Sequence, residues 1–293
     1  MTKYSIDQFS QITGITKFVL RTWENRYGFL KAQRTDTKIR FYTDELLVRA
    51  LNCNYLLENG YKISVISKLS HDEISSKVDE IKNSTEDNSI ESYYIVKLIE
   101  SALDFDSNLF NSTYDKGVQE LGILKFYKSV LLVTFSKIGI FWLTNRIAPS
   151  QEHFLSELVK QKIGAAADSV SNDETKKDSW LLFLPENEFH EIGLLFAKFL
   201  LIKNGFEVVY LGSNVPYGSL LELAEKKRID NVLFFSVSNT SKSNLDFTIN
   251  YLNKSFPKTK HFLVANSLDI NFLTKDHDIT ILENLDDFVN IIS

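Results

Sequence analysis

The sequence predicts three architectures in one chain: a winged helix-turn-helix head, a four-helix bundle, and an α/β domain built on a doubly wound parallel sheet. Three observations predict them. Two short capped helices flank a glycine turn near the N-terminus. Residues 89–170 repeat apolar side chains at three- and four-residue spacing. Beyond residue 178, short apolar runs alternate with helical ones.

The head comes first. In Tyr4–Gly14, Ser5 is a polar cap and Gly14 stands where a helix stops. Thr16 caps a second helix that places Val19, Leu20 and Trp23 on one side and Arg21, Glu24 and Arg26 outward. In such a pair the second helix enters the major groove of DNA. The stretch from Tyr27 to Tyr42 has room for a two-stranded wing, and Thr43-Asp44-Glu45 caps a third helix over Leu46–Leu57. Residues 1–70 hold eleven Lys and Arg against six Asp and Glu, while the whole chain carries a net charge of −5. A basic head on an acidic body suits a polyanionic partner for the head alone.

The bundle follows a polar stretch. Residues 71–88 read as the tail of a helix and a linker. Four helical segments with short connections then read as a bundle, with apolar stripes through Tyr94–Leu103, Leu121–Phe141 and Phe154–Ala166. The predicted division is 1–75 for the head, 76–88 for the linker, 89–175 for the bundle and 176–293 for the α/β domain.

In the last part, strands are predicted at Trp180–Leu184, Glu207–Leu211, Asn231–Phe235, His261–Val264 and Thr280–Leu282. Helices are predicted at Ile192–Lys203, Leu220–Lys227, Ser243–Lys254 and Leu285–Ile291. That alternation gives a Rossmann-like sheet with helices on both faces. His190 falls just past the carboxyl end of the first strand, the position at which open α/β sheets bind ligands. A neutral imidazole there can ligate a metal, with Glu188 fixing its tautomer and Gly193 allowing a bulky ligand to approach the helix start. Tyr210–Pro216 reads as a strand-to-helix turn, and Ser236-Val237-Ser238 puts hydroxyls on the same rim. Trp142 in the bundle is followed by Glu152-His153. By residue chemistry alone, His190 could be a loop histidine, Trp142 a core residue, and Glu152-His153 an exposed helix start.

Other features bound the class. No apolar run approaches the ~20 residues that span a bilayer, and Met1–Ser5 lacks the apolar core of a secretory signal. The single cysteine, Cys53, excludes an internal disulfide and any zinc site made of cysteines. A cytoplasmic protein is the expectation, with no membrane partner.

The segment Leu20-Arg21-Thr22-Trp23-Glu24-Asn25-Arg26-Tyr27-Gly28-Phe29, with Arg40-Phe41-Tyr42 before the third helix, resembles the signature of the MerR family of transcriptional regulators over residues 4–70. The resemblance implies contacts to double-stranded promoter DNA from Arg21 and Arg26 in the recognition helix and from Arg40 and Tyr42 in the wing. Guanidinium groups suit phosphates and guanine edges; the competing role for each arginine is a surface charge or an ion pair with Glu24. Ala32 stands where the family has proline, and Lys38 where its wing turns on glycine.

From Trp142 and Glu152-His153 through Glu188-x-His190-x-x-Gly193 to Ser236-x-Ser238, the remainder resembles the cobalamin-binding module of light-responsive MerR-type repressors, the CarH/LitR group. That resemblance implies cobalamin, as adenosylcobalamin, with His190 on cobalt and Glu188 orienting it. It implies that Ser236 and Ser238 line the pocket for the nucleotide tail, that Gly193 lies in the cofactor site, and that Trp142 caps the upper face. Glu152 would contact the adenosyl group, and His153 would be a second cobalt ligand after its loss. It implies a non-enzymatic repressor gated by light through homodimer or homotetramer formation. Val264-Ala265-Asn266 departs from the two glycines of the family, against which the tail lies. Two readings compete: a MerR-type regulator whose C-terminal module holds no cofactor and binds proteins, and a cobalamin-dependent methyl carrier or mutase subunit, which the DNA-reading head argues against.

Overall fold

The computed structural model describes residues 3–35, 37–84, 90–143, 149–170, 178–238, 242–265 and 279–293, with backbone alone at 83–84, 140–143 and 242. The chain divides into two compact units, Met1–Leu155 and Ser156–Ser293, with the boundary inside one helix.

In the first unit, helix α1 (Ile6–Thr13) starts from a capping box between Ser5 and Gln8 and stops at Gly14, whose φ of +74° is left-handed. Helix α2 (Lys17–Tyr27) is capped by Thr16 and buries Leu20 and Trp23. Strands β1 (Gln33–Arg34) and β2 (Arg40–Phe41) pair antiparallel as the wing. Helix α3 (Asp44–Glu58) is capped by Thr43. A single turn, α4 (Ile63–Ile66), precedes α5 (His71–Ser84), which packs against α3. Residues 76–84 of the stretch read as a linker are therefore helical.

The bundle helices are α6 (Ile90–Asp104), α7 (Ser107–Leu121), a continuous helical run Ile123–Leu143, and α10 (Pro149–Asp168). The continuous run consists of α8 (Ile123–Phe126), a π-helical stretch (Tyr127–Leu131) and α9 (Leu132–Leu143). Aromatic side chains fill the contact between α6, α7 and α8: the Phe126 ring meets Tyr94 and Tyr114 edge-on at 5.9 and 5.2 Å. Gly117 makes that approach possible, because a Cβ there would lie 2.2 Å from the Phe126 ring.

The second unit holds a five-stranded, all-parallel sheet in the order β4-β3-β5-β6-β7: β3 (Ser179–Pro185), β4 (Glu207–Val215), β5 (Asn231–Ser236), β6 (Lys260–Ala265) and β7 (Thr280–Ile281). Helices α11 (Glu191–Lys203), α12 (Tyr217–Lys226), α13 (Lys242–Ser255) and α14 (Leu285–Ile292) connect or follow the strands. Strands β3 and β5 are buried along their whole length, which explains their unbroken apolar runs. Strand β4 outlasts its predicted end at Leu211. Gly212, at φ +78°, permits a register shift against β3, and pairing resumes at Pro185 with Val215. Residues 210–215 are therefore strand, not turn, and α12 starts after Pro216. The chain leaves β3 toward β4 on one side and returns to β5 on the other, so the rim between β3 and β5 is the topological switch point.

Candidate functional site

At that switch point the β3–α11 loop turns through Asn187, at φ +65°, in a turn closed by the Glu188 N–H donating to the Pro185 carbonyl at 3.1 Å. The loop is tied to the end of β4 twice: the Asn187 N–H donates to Asn214 Oδ1 at 2.9 Å, and the Asn214 N–H donates to the Glu188 carbonyl at 3.1 Å. This geometry folds the Glu188 side chain inward, where it is 3% exposed.

The Glu188 carboxylate gathers donors from two strand ends. Oε2 accepts the N–H groups of Val237 and Ser238 at 2.9 and 2.8 Å. Oε1 accepts Ser238 Oγ at 2.9 Å, the Phe189 N–H at 2.9 Å and the His190 N–H at 3.2 Å. Oε1 also lies 2.6 Å from His190 Nδ1. Burial pushes this carboxyl up, but the hydrogen bonds from His190 and Ser238 outweigh burial and bring it down to about 2. The group is ionised at neutral pH and only accepts, so Nδ1 carries the proton and donates. Ligation would then fall to Nε2 on a ring whose side chain is 66% exposed. A carboxylate-bonded imidazole at a strand rim fits the metal ligation expected of His190. Phe189, 64% exposed between the two, offers an apolar surface beside the imidazole. Sequence reading passed over Phe189, although an aromatic residue in a polar loop is itself a signal. A cleft of about 370 Å³ opens next to Glu188, lined by Glu186, Asn187, Tyr217, Ser238, Asn244 and Phe247 among others.

The other expected positions distribute as follows. Ser238 holds Glu188: its hydroxyl donates to the carboxylate at 2.9 Å. Ser236 is buried at the end of β5. Gly193 faces the inside of its own domain: a Cβ there would lie 2.6 Å from the Phe235 ring. The absent side chain thus admits an aromatic ring between α11 and β5, a packing reason for glycine that stands beside the expected ligand approach. Ala265 ends β6; Asn266 lies outside the described residues. In the first unit, Glu152 and His153 form a pair in the first turn of α10, with Nδ1 3.4 Å from Oε2 and the His153 side chain 72% exposed. Trp142 falls on α9, and its side chain lies outside the described residues.

On the head, Arg21 and Arg26 are exposed on α2, with the Arg26 guanidinium 5.4 Å from the centre of the Tyr27 ring. Arg40 lies on β2 with Nε 3.3 Å from Glu24 Oε2, the ion pair weighed against a DNA contact. Tyr42 is corrected: it is fully buried, stacked on Phe9 at 4.2 Å, and its main chain pairs with that of Tyr4. Its ring belongs to the core of the head, and a residue held there presents no surface to a phosphate. Lys38 occupies the left-handed conformation at φ +64° that a glycine would take, so the wing turn persists with lysine in it. Arg34 Nη1 donates to the Lys38 carbonyl at 3.1 Å.

A helix-turn-helix head with a two-stranded wing thus precedes a parallel α/β domain that carries a histidine at its switch point. The profile of the family described as "MerR HTH family regulatory protein" matches residues 4–73. The HTH-type transcriptional repressor CarH of Myxococcus xanthus is 24% identical over 87% of this chain and 86% of its own. The repressor CarA of the same organism is 23% identical over 78% of this chain and 74% of its own. In fold, the chain is similar to the monomethylamine corrinoid protein of Methanosarcina barkeri, with 15% identity, a TM-score of 0.50, and coverage of 70% of this chain and 95% of that one. Residues 4–73 thus match the MerR helix-turn-helix model, and the order of head and C-terminal module over the matched length is similar to that of CarH. No helix among the described residues is long and apolar enough to cross a membrane.

Proposed function

We propose that this protein is a promoter-binding repressor whose C-terminal module binds cobalamin through His190. The observation that carries the reading is the 2.6 Å contact between His190 Nδ1 and a buried, ionised Glu188 at the switch point of the sheet. The similarity to two proteins named transcriptional repressors, and to a corrinoid protein in fold, supports it. The test is direct. The purified chain is incubated with cobalamin, freed of excess by gel filtration, and its absorption spectrum recorded. A bound corrinoid spectrum that His190→Ala alters is the expected result; no bound corrinoid overturns the reading.

On the DNA side, Arg21, Arg26 and Arg40 supply the positive surface. Binding to repeated or palindromic promoter sites should weaken steeply as salt rises, because phosphate counterions are released. Arg26→Ala or Arg40→Ala should cost about 1–3 kcal/mol where a bidentate base contact is lost. Gel-shift titrations with the chain's own upstream region measure both effects.

The finer reading is that the ligand is adenosylcobalamin and that light sets the oligomeric state. Visible light breaks the cobalt–carbon bond of that cofactor. In this reading Trp142, Glu152 and His153 would carry the response, and a dark tetramer would offer several heads to the promoter at once. Size-exclusion chromatography with adenosylcobalamin, dark against illuminated, tests it: identical elution removes the light switch and leaves DNA binding intact. One observation favours the cofactor-free alternative. The Phe235 ring fills the space beside Gly193. A colourless protein after incubation is the result that selects that alternative.

A further inference from the structure

Phe18 is the most exposed large hydrophobic side chain among the described residues, at 79%, and it sits on the second position of the recognition helix. An isolated phenylalanine left in water forgoes the burial that a side chain of its size seeks. The helix buries Leu20 and Trp23 on its opposite side, so Phe18 has no role in that core. It shares a face with Arg21, Thr22 and Asn25, at spacings of three, four and seven residues. Thr22 Oγ1 donates to the Phe18 carbonyl at 2.9 Å, which fixes the first two turns of this face in register. The neighbouring Lys17 is occupied with Asp7 on α1. The face therefore presents, in order, an aromatic ring, a guanidinium, a hydroxyl and a carboxamide. In helix-turn-helix docking, the N-terminal residues of the second helix are those that reach base edges in the major groove. Of the groups displayed there, the apolar one is the C5-methyl of thymine, and phenylalanine is among the side chains that contact it.

We infer that Phe18 is a specificity-determining residue that reads a thymine methyl group in each half-site of the operator. The inference rests on the DNA-binding reading above and goes beyond it by naming a base and the atom recognised. A thymine under Phe18 is preferred over cytosine because cytosine lacks the methyl group, and over purines because their edge at that place is polar.

The experiment uses the full-length chain and duplex sites that it selects from random DNA. Each thymine of the selected site is replaced singly by deoxyuridine, which removes only the methyl group. For the wild-type chain, one thymine per half-site should lose about fourfold in affinity on replacement, the worth of one buried apolar carbon. In Phe18→Ala that sensitivity should vanish, while sensitivity to salt and to changes at other positions persists. Phe18→Leu should keep part of it. Far-ultraviolet circular dichroism shows that each variant keeps its helices, as an exposed position requires. Wild-type indifference to deoxyuridine at every thymine overturns the inference, as does a Phe18→Ala variant that retains the same sensitivity. Failure of the wild-type chain to select any sequence overturns the DNA-binding reading itself, an outcome distinct from both.

Discussion

Glu188 Oε1 lies 2.6 Å from His190 Nδ1, and the same carboxylate accepts the N–H groups of Val237 and Ser238 from the end of the neighbouring strand. The imidazole is thus aimed by a group that is itself fixed by two strands, so its orientation is set before any ligand arrives. Glu188→Gln keeps the shape but loses the charge that assists these bonds. It should weaken cobalamin binding by about 10–100-fold, and His190→Ala should weaken it further. Absorbance titration measures both; equal affinity in all three chains would remove His190 from the site.

A second carboxylate should shape stability against pH. Asp230 Oδ2 accepts both the N–H and the Oγ of Ser179 at 3.0 Å, clamping the first residue of β3 to the approach to β5. Those hydrogen bonds hold its carboxyl below the usual aspartate range. A group whose folded value is lowered stabilises the fold above its unfolded value, about 3.9, and loses that contribution as pH falls through the folded value. Asp230→Asn should therefore cost at most about 1 kcal/mol at pH 7, since water screens the carboxylate, and progressively less below about pH 4. Urea unfolding at a series of pH values shows this as two curves that converge in acid.

Gly193→Ala separates packing from ligand access. In a helix, alanine gains about 1 kcal/mol over glycine, but here its Cβ would enter the Phe235 ring. Overpacking of this kind costs about 1–3 kcal/mol. The variant should unfold at lower temperature both with and without cobalamin. An unchanged melt with weakened cobalamin binding would instead return Gly193 to the ligand site.

The wing offers the opposite case. Lys38 is held at φ +64°, where a Cβ is crowded by the following carbonyl. Lys38→Gly should stabilise the first unit by up to about 1 kcal/mol, read as a rise in its melting transition. A fall would mean that the contacts of the lysine side chain outweigh the relieved backbone.

Much of the fold was legible because its signals are local. The polar cap at Ser5, the stop at Gly14 and the caps at Thr16 and Thr43 each act within a few residues, and each is found where the sequence put it. The parallel sheet followed from the rhythm of apolar runs, and the Glu188–His190 pair from their spacing on one loop. What the sequence determined by itself is therefore most of the elements, their order, and the placing of a histidine at a strand end.

Only the tertiary structure decided which way certain side chains face. Ser238 meets Glu188 from fifty residues away, so no local pattern could assign its hydroxyl to the carboxylate. Tyr42 and Gly193 look from their motifs like surface positions, yet Phe9 and Phe235 pack against them from other elements. Strand β4 continues through Gly212 because β3 is there to pair with it. The physical reason is common to all of these. Caps and periodicity act through bonds between near neighbours, whereas burial depends on which distant surface arrives, and that surface exists only once the chain has folded.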